Sequence, residues 1–309
     1  MLPGQPAAIT HRRGVEQGRI ELRRLSPYLW LLPATALFAV FRLYPLVYGL
    51  YLSVFRWDGI SPMAFNGLAN YAQAVQDHVF QIALWHNVIY AAGTVVGKNV
   101  IALALAVFLN GQIRGRTFFR TTLFMPVVMS FVVVGLLWGW VFNVQFGLLN
   151  SILSATGLGQ WRADWLGNPQ LALISVMAVD LWKWYGFHMV VYLAGLQTLP
   201  IMLYEAAKID GASAWQQFRR LTLPLIRPII VVNVTLALMG GFNVFDLVYV
   251  MTEGGPNQAT NVVMLYTYTQ AFKFNHFGYA SALSYVLLAI VTVISALQIR
   301  LLSGERYEL

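Results

Sequence analysis

Residues 199–228 read LPIMLYEAAKIDGASAWQQFRRLTLPLIRP, which is more helix punctuation than a plain connector needs. Pro200 can open a helix, because a first-turn residue needs no amide donor. Glu205 falls in the early turns, where a carboxylate suits the positive end of the helix. Ala206 and Ala207 keep one surface low enough for another protein's wall to approach. Gly211 can take the left-handed conformation that ends a helix. Ser213 to Gln216 then reads S-x-x-Q, a capping box that starts a second helix. Pro224 is expected to stop that helix and Pro228 to begin the next segment. The stretch predicts a helix–bend–helix, small-faced at the bend. Two uses fit this shape: a knob for a socket on a partner protein, or a hairpin lying flat on lipid.

On both sides of this stretch the chain is strongly apolar. Of 309 residues 58% are hydrophobic and only 10% charged, with mean hydropathy +0.62. A soluble domain carries about 25% charged residues, so much of this surface faces lipid. Runs of about 20 apolar residues are long enough to span a bilayer core. Six such spans are expected, near 28–55, 84–109, 118–143, 171–198, 228–251 and 278–301, giving an all-α polytopic membrane protein. Trp and Tyr near many span ends (Tyr28, Trp30, Trp57, Trp85, Trp138, Trp140, Tyr279) suit the headgroup region, and equally suit packing between helices. The apolar run after residue 27 is too long for the core of a cleaved signal peptide, so 1–27 is read as a cytoplasmic segment and 28–309 as the membrane domain.

The 20 Lys and Arg residues against 12 Asp and Glu would raise the question of nucleic acid in a soluble protein. Their positions answer it. With the N-terminus inside, the inner segments hold Arg12, Arg13, Arg19, Arg23, Arg24, Arg114, Arg116, Arg120, Lys208, Arg219, Arg220, Arg227, Arg300 and Arg306. The outer segments hold only Arg56, Arg162 and Lys273. This asymmetry puts both termini in the cytoplasm, and the basic surplus reports topology, with no nucleic-acid partner. The outer segments 57–83 and 144–170 mix aromatics with Gly, Pro and Asn, which suggests short surface helices and turns. The chain has no cysteine, and its five histidines show no metal-ligand spacing, so thiol chemistry, disulfides and a metal are not expected.

Residues 205–224 resemble the signature loop of binding-protein-dependent ABC importer permeases, E-A-A, three residues, G, nine residues, I-x-L-P. The chain supplies Glu205-Ala206-Ala207, Gly211 and Leu221-Thr222-Leu223-Pro224 at that spacing, with Leu221 in place of Ile. Further stretches resemble the carbohydrate-importing branch related to the maltose and glycerol-phosphate permeases. Among them are Tyr44-Pro45, Phe65-x-Gly67-Leu68-x-Asn70-Tyr71, Phe118-Phe119-Arg120, Asp210-Gly211-Ala212 and Thr252-x-Gly254-Gly255-Pro256. The resemblance implies a prokaryotic inner-membrane permease working with a second homologous permease, a dimeric ABC ATPase and an extracytoplasmic solute-binding protein. It implies ATPase coupling through Glu205, Ala206, Ala207, Gly211 and Pro224. The chain itself is not expected to be an enzyme or to hold a cofactor. Gly93 to Lys98 has three residues between its glycines where a phosphate loop needs four, and Asn99 where that loop needs Ser or Thr. Gly93 and Gly97 read instead as small-xxx-small helix packing.

Charges inside spans are costly and default to functional candidates. Asp180 and Lys183 lie three apart on one helical face of the fourth expected span, among Trp182, Trp184, Tyr185 and Phe187. The fifth carries Gly240-Gly241-Phe242-Asn243-Val244-Phe245-Asp246. Both offer aromatic faces for the C–H patches of sugars and polar groups for their hydroxyls. The resemblance places a mid-membrane solute site between these spans, with Asp180, Trp184, Phe187, Gly241 and Val244 as contacts, and Lys183 and Asn243 beside them. A structural reading stands next to this one: Asp180 and Lys183 simply neutralise each other. For Asp246 the expectation is a structural role, and for Arg42 and Lys98 snorkelling or helix pairing. The competing classes are an ion-coupled carrier, which has no use for the 205–224 loop, and an intramembrane aspartyl enzyme, for which Lys183 offers Asp180 a simpler partner.

Overall fold

The computed structural model describes residues 30–111 and 113–302; the expected cytoplasmic segment 1–27 lies outside the described residues. The described chain is helical apart from one hairpin of two-residue strands, β1 (Phe55–Arg56) and β2 (Ala64–Phe65), paired antiparallel with Phe55 opposite Phe65. Its helices are α1 (Trp30–Ser53), α2 (Ala69–Gln76), α3 (His78–Asn110), α4 (Arg116–Val128), α5 (Phe131–Val141), α6 (Leu148–Ala155) and α7 (Pro169–Leu196). They continue with α8 (Ile201–Ile209), α9 (Ala214–Leu225), α10 (Arg227–Phe242), α11 (Asp246–Met251), α12 (Val263–Tyr268) and α13 (Phe277–Leu302).

α1, α3 and α13 are each long and apolar enough to cross a membrane, and three bent pairs, α4/α5, α7/α8 and α9/α10, bring the number of possible crossings to six. The expected outer segments form β2, α2 and α6, short elements as the Gly-, Pro- and Asn-rich composition suggested, while β1 falls at the end of the first expected span.

The centre of the molecule is the pair α3 and α7. Gly93 and Gly97 let these two helices meet, because a Cβ at either position would collide with Met177 or Leu181 of α7. α10 packs on α3, and α4 packs on α7. At Gly186 of α7 an added Cβ would strike the backbone of Leu123 and Phe124 in α4. Around these contacts lie three apolar clusters, one of which joins α3, α10, α12 and α13 through Phe80, Ala91, Leu238, Phe242, Val263 and Leu283. α1 behaves differently: Trp30 to Val47 is exposed, and the helix reaches the rest of the fold through its C-terminal half against α13. The Tyr285 hydroxyl donates to the Leu46 carbonyl there.

Three expectations need correction. The third expected span is not one helix: α4 and α5 meet at 100°. Pro126 sits inside α4 without an amide to donate, and Ser130 caps α5 by accepting from the Val133 amide at 3.3 Å, so the chain stops and restarts. The fifth is broken as well, with residues 243–245 unwound between α10 and α11. Pro224, finally, does not end its helix. The turn Phe218–Thr222 before it is a π-turn, which relaxes the i−4 spacing that a proline ring offends. α9 therefore runs on to Leu225, and the 70° bend into α10 falls at Ile226.

Candidate functional site

Two regions carry the candidate residues, the 199–228 loop and a cavity beside α7. In the loop, Pro200 is the N-cap residue of α8, and Glu205 and Ala206 stand exposed on that helix with Ala207 half-buried. Gly211 has φ +75°, and its amide donates to Lys208 O at 3.1 Å while the Ala212 amide donates to Ala207 O at 2.9 Å. That left-handed residue would cost an L side chain roughly 1–2 kcal/mol. The capping box is complete: the Gln216 amide donates to Ser213 Oγ (3.3 Å), and the Ser213 amide to Gln216 Oε1 (2.8 Å). A contact between Tyr204 Oη and Thr222 Oγ1 at 3.0 Å ties α8 to α9. The resulting knuckle presents Ile201, Met202, Ile209 and Trp215, all exposed apolar side chains, to its surroundings. Pro224 is half-buried behind it.

The cavity has a volume of about 370 Å³ and lies among α3, α5, α7, α10 and α11. Five of the expected residues line it: Asp180, Trp184, Phe187, Asn243 and Val244. They share the wall with Lys98, Phe131, His188, Leu236, Gly240, Phe245, Asp246 and Leu247. Trp184 packs on Phe131 (centroids 6.1 Å apart) and edge-on to Phe187 (5.8 Å), which builds an aromatic corner. His188 Nδ1–H donates to Asn233 Oδ1 at 2.8 Å, which fixes the ring from behind.

Lys183 and Gly241 are elsewhere. Lys183 turns away from the cavity, and its ammonium donates to the carbonyls of Pro126 (3.3 Å), Val127 (3.2 Å) and Met129 (2.5 Å). It also lies 4.8 Å from the Phe131 ring centroid and 5.4 Å from that of Trp184. Its job is thus to satisfy the broken end of α4. Asp180 does not pair with Lys183 as the structural reading had it; Lys98 of α3 takes that place, with Nζ 2.5 Å from Asp180 Oδ2. Lys98 is a helix-pairing charge in the expected sense, and it reaches the cavity wall too. Gly241 is buried, and a Cβ there would lie 2.9 Å from Ala91 Cα, so its smallness serves the α3–α10 contact.

Of the wall residues, Phe131, His188, Leu236 and Leu247 were not offered by the sequence, and Lys98 was offered only as a snorkelling or helix-pairing charge. Phe131 was unreadable because the α4/α5 break that aims it was not foreseen. Lys98 did carry a signal, an uncompensated charge within an apolar run.

The chain from residue 98 to 304 matches the family described as binding-protein-dependent transport system inner membrane component. The chain belongs to this family. A probable ABC transporter permease, YurN of Bacillus subtilis, is 37% identical over 94% of this chain and 100% of its own length. LacF of Rhizobium radiobacter, a lactose transport system permease, is 37% identical over 89% of this chain and 93% of its own. The fold matches the solved structure of a bacterial ABC transporter involved in import of the acidic polysaccharide alginate. In that match the TM-score is 0.81 and the identity 24%, covering 93% of this chain and 98% of the other. The chain is accordingly an inner-membrane permease subunit, with its ATPase on a separate polypeptide.

Proposed function

We propose that this permease carries a sugar, delivered by an external binding protein, across the membrane at the expense of ATP hydrolysed by a partner subunit. Residues 28–309 form the permease domain, which pairs with a second, related permease to complete the path. The observation that carries the sugar reading is the cavity beside α7, where the Phe131–Trp184–Phe187 corner faces Asp180, Asn243 and Asp246. Aromatic faces take the apolar side of a pyranose, and carboxylates and amides take its hydroxyls. The relatives named for lactose, arabinooligosaccharide and multiple-sugar transport support the same class.

Coupling runs through the knuckle at 199–228. Its exposed Ile209 and Trp215 flank the low surface at Ala206, Ala207 and Gly211, which suits a socket on the ATPase. Closure of the ATPase dimer would then pull on α8 and α9, and through the 70° bend on α10. α10 ends at the cavity, so a movement of the knuckle reaches the solute through one helix.

The test is reconstitution of the complex with its binding protein and a screen of saccharides for stimulated ATP hydrolysis and uptake. Stimulation by one or a few sugars is expected. No stimulation by any sugar, with stimulation by amino acids or ions instead, would remove the sugar assignment and keep the family.

A further inference from the structure

We infer that the cavity discriminates by charge, accepting neutral saccharides over uronic or phosphorylated ones, with Asp246 as the discriminating group. The inference rests on the sugar reading and narrows it. Binding an anionic sugar requires a cation free to meet it. Among the described residues, Arg42, Lys98 and Lys183 are the cations in the interior of the expected spans, while Arg120 and Arg300 stand at span ends and neither lines the cavity. Lys98 is committed to Asp180 at 2.5 Å, so the pair adds no net charge to the wall. Lys183 spends its donors on three backbone carbonyls and faces away. Arg42 lines a different groove, between α1 and α13, that shares Asn243 with the cavity.

Asp246 remains. It is an exposed wall residue at the start of α11, and among the described residues it has no ion-pair partner. With Lys98 balancing Asp180 and His188 bonded to Asn233, Asp246 leaves one negative unit on this subunit's wall of the cavity. A neutral sugar gains a hydroxyl donor bond to that carboxylate; a uronate or a phosphate meets repulsion. Among the described residues Asp246 makes no side-chain hydrogen bond or ion pair, and its place in the first turn of α11 is the structural use that the geometry offers it.

The experiment uses the whole reconstituted complex and presents lactose, maltose and raffinose, each beside its C6-uronate analogue, with the binding protein's own affinities measured separately. The wild type is expected to move the neutral member at least tenfold faster, once binding-protein preference is divided out. Asp246→Asn should narrow the ratio about tenfold, equivalent to about 1.4 kcal/mol, and Asp246→Lys should favour the uronate. If a variant loses transport, the same ratio is read from quenching of intrinsic tryptophan fluorescence, to which Trp184 contributes, by each sugar. Equal handling of both members by the wild type, or a ratio unmoved by both substitutions, overturns the charge filter and leaves the sugar reading standing. Silence toward all six compounds moves the comparison to a sugar that stimulates transport in the wider screen and to its uronate; silence toward every sugar overturns both.

Discussion

Replacing Lys183 with methionine removes the ammonium and keeps the length of the side chain. In the native protein that group is 2% exposed and meets three carbonyls at the end of α4, where the chain turns through 100°. Pro126 O has a second donor, the Met129 amide at 3.3 Å, so the change strands two carbonyls, those of Val127 and Met129. A buried acceptor left unpaired costs about 1–3 kcal/mol. The lost cation–π contacts with Phe131 and Trp184 add roughly 0.5–2 kcal/mol. Against this stands the relief of no longer burying a charge, itself worth several kcal/mol before compensation. The native ammonium is fully bonded, so most of that relief has already been spent, and a net destabilisation of about 2–4 kcal/mol is expected.

Two assays check this. Thermal unfolding of the purified complex in nanodiscs should shift downward for Lys183→Met and largely recover for Lys183→Arg, whose guanidinium can also donate to carbonyls. The second assay separates a cavity effect from general instability. Phe131 and Trp184 sit on the cavity wall and touch Lys183, so KM for uptake should rise at temperatures where the variant is still folded, with basal ATP hydrolysis retained. A Lys183→Met variant with native unfolding and native KM would refute the idea that this residue holds the break and, through it, the aromatic corner.

Substituting Gly211 with valine should leave membrane insertion intact and disconnect ATP hydrolysis from uptake, because φ +75° excludes a β-branched residue; a normal ratio of sugar moved to ATP consumed would count against the knuckle. Lys98→Met, which leaves Asp180 buried without its cation, should destabilise by about 3–5 kcal/mol, and Lys98→Met with Asp180→Leu should recover most of the melting temperature. At the adjacent glycines the outcomes should diverge: Gly241→Ala meets the Ala91 backbone and lowers stability, whereas Gly240→Ala finds open space and is tolerated. On the outer face, burial raises the Asp77 carboxyl, but bonds from Tyr266, Tyr279 and the Phe80 and Val79 amides outweigh it and leave its pKa below 3.8. Those bonds contribute stability above about pH 4. Amide-exchange protection factors at the start of α3 should drop as the pH falls from there through the lowered pKa, and the drop should be absent in Asp77→Asn.

The knuckle was legible almost residue by residue because its signals are local. Gly211, Ser213 and Gln216 act on backbone within a few positions of themselves, and each is found doing what its chemistry suggests. Pro224 failed as a stop signal because the π-turn ahead of it is set by the wider packing of α9. The cavity was half legible. Asp180, Trp184, Phe187, Asn243 and Val244 were named from composition and resemblance, and the structure places them around one cavity. Partner choice was not legible. Asp180 has one cation three residues away in its own helix and another on α3, and the spacing favours the first. Geometry chooses the second because Lys183 is drawn off by carbonyls that appear only when α4 breaks. A break in an apolar run has no composition signal beyond Pro126, which an intact membrane helix also tolerates.

The two breaks follow one rule. In an apolar medium an interrupted helix exposes carbonyls that water cannot reach, so interruption survives only where protein supplies donors. α4 ends on Lys183 of α7. α10 ends on Asn87 of α3, whose Nδ2 donates to the carbonyls of Phe242 (3.0 Å) and Gly241 (3.4 Å) while its Oδ1 accepts from the Val263 amide (2.8 Å). In both cases the donor comes from an unbroken central helix, and the broken helix carries cavity residues just past the break: Phe131 after the first, Asn243, Val244 and Asp246 after the second. α3 and α7 thus supply the donors at the breaks in the pairs α4/α5 and α10/α11, one polar side chain at each. In the transport role proposed above, the cavity would open to alternate sides, and its walls would have to turn without exposing backbone. A side chain able to keep its bonds while the segment beyond it turns would meet that need, and Lys183 and Asn87 are the side chains placed to do so.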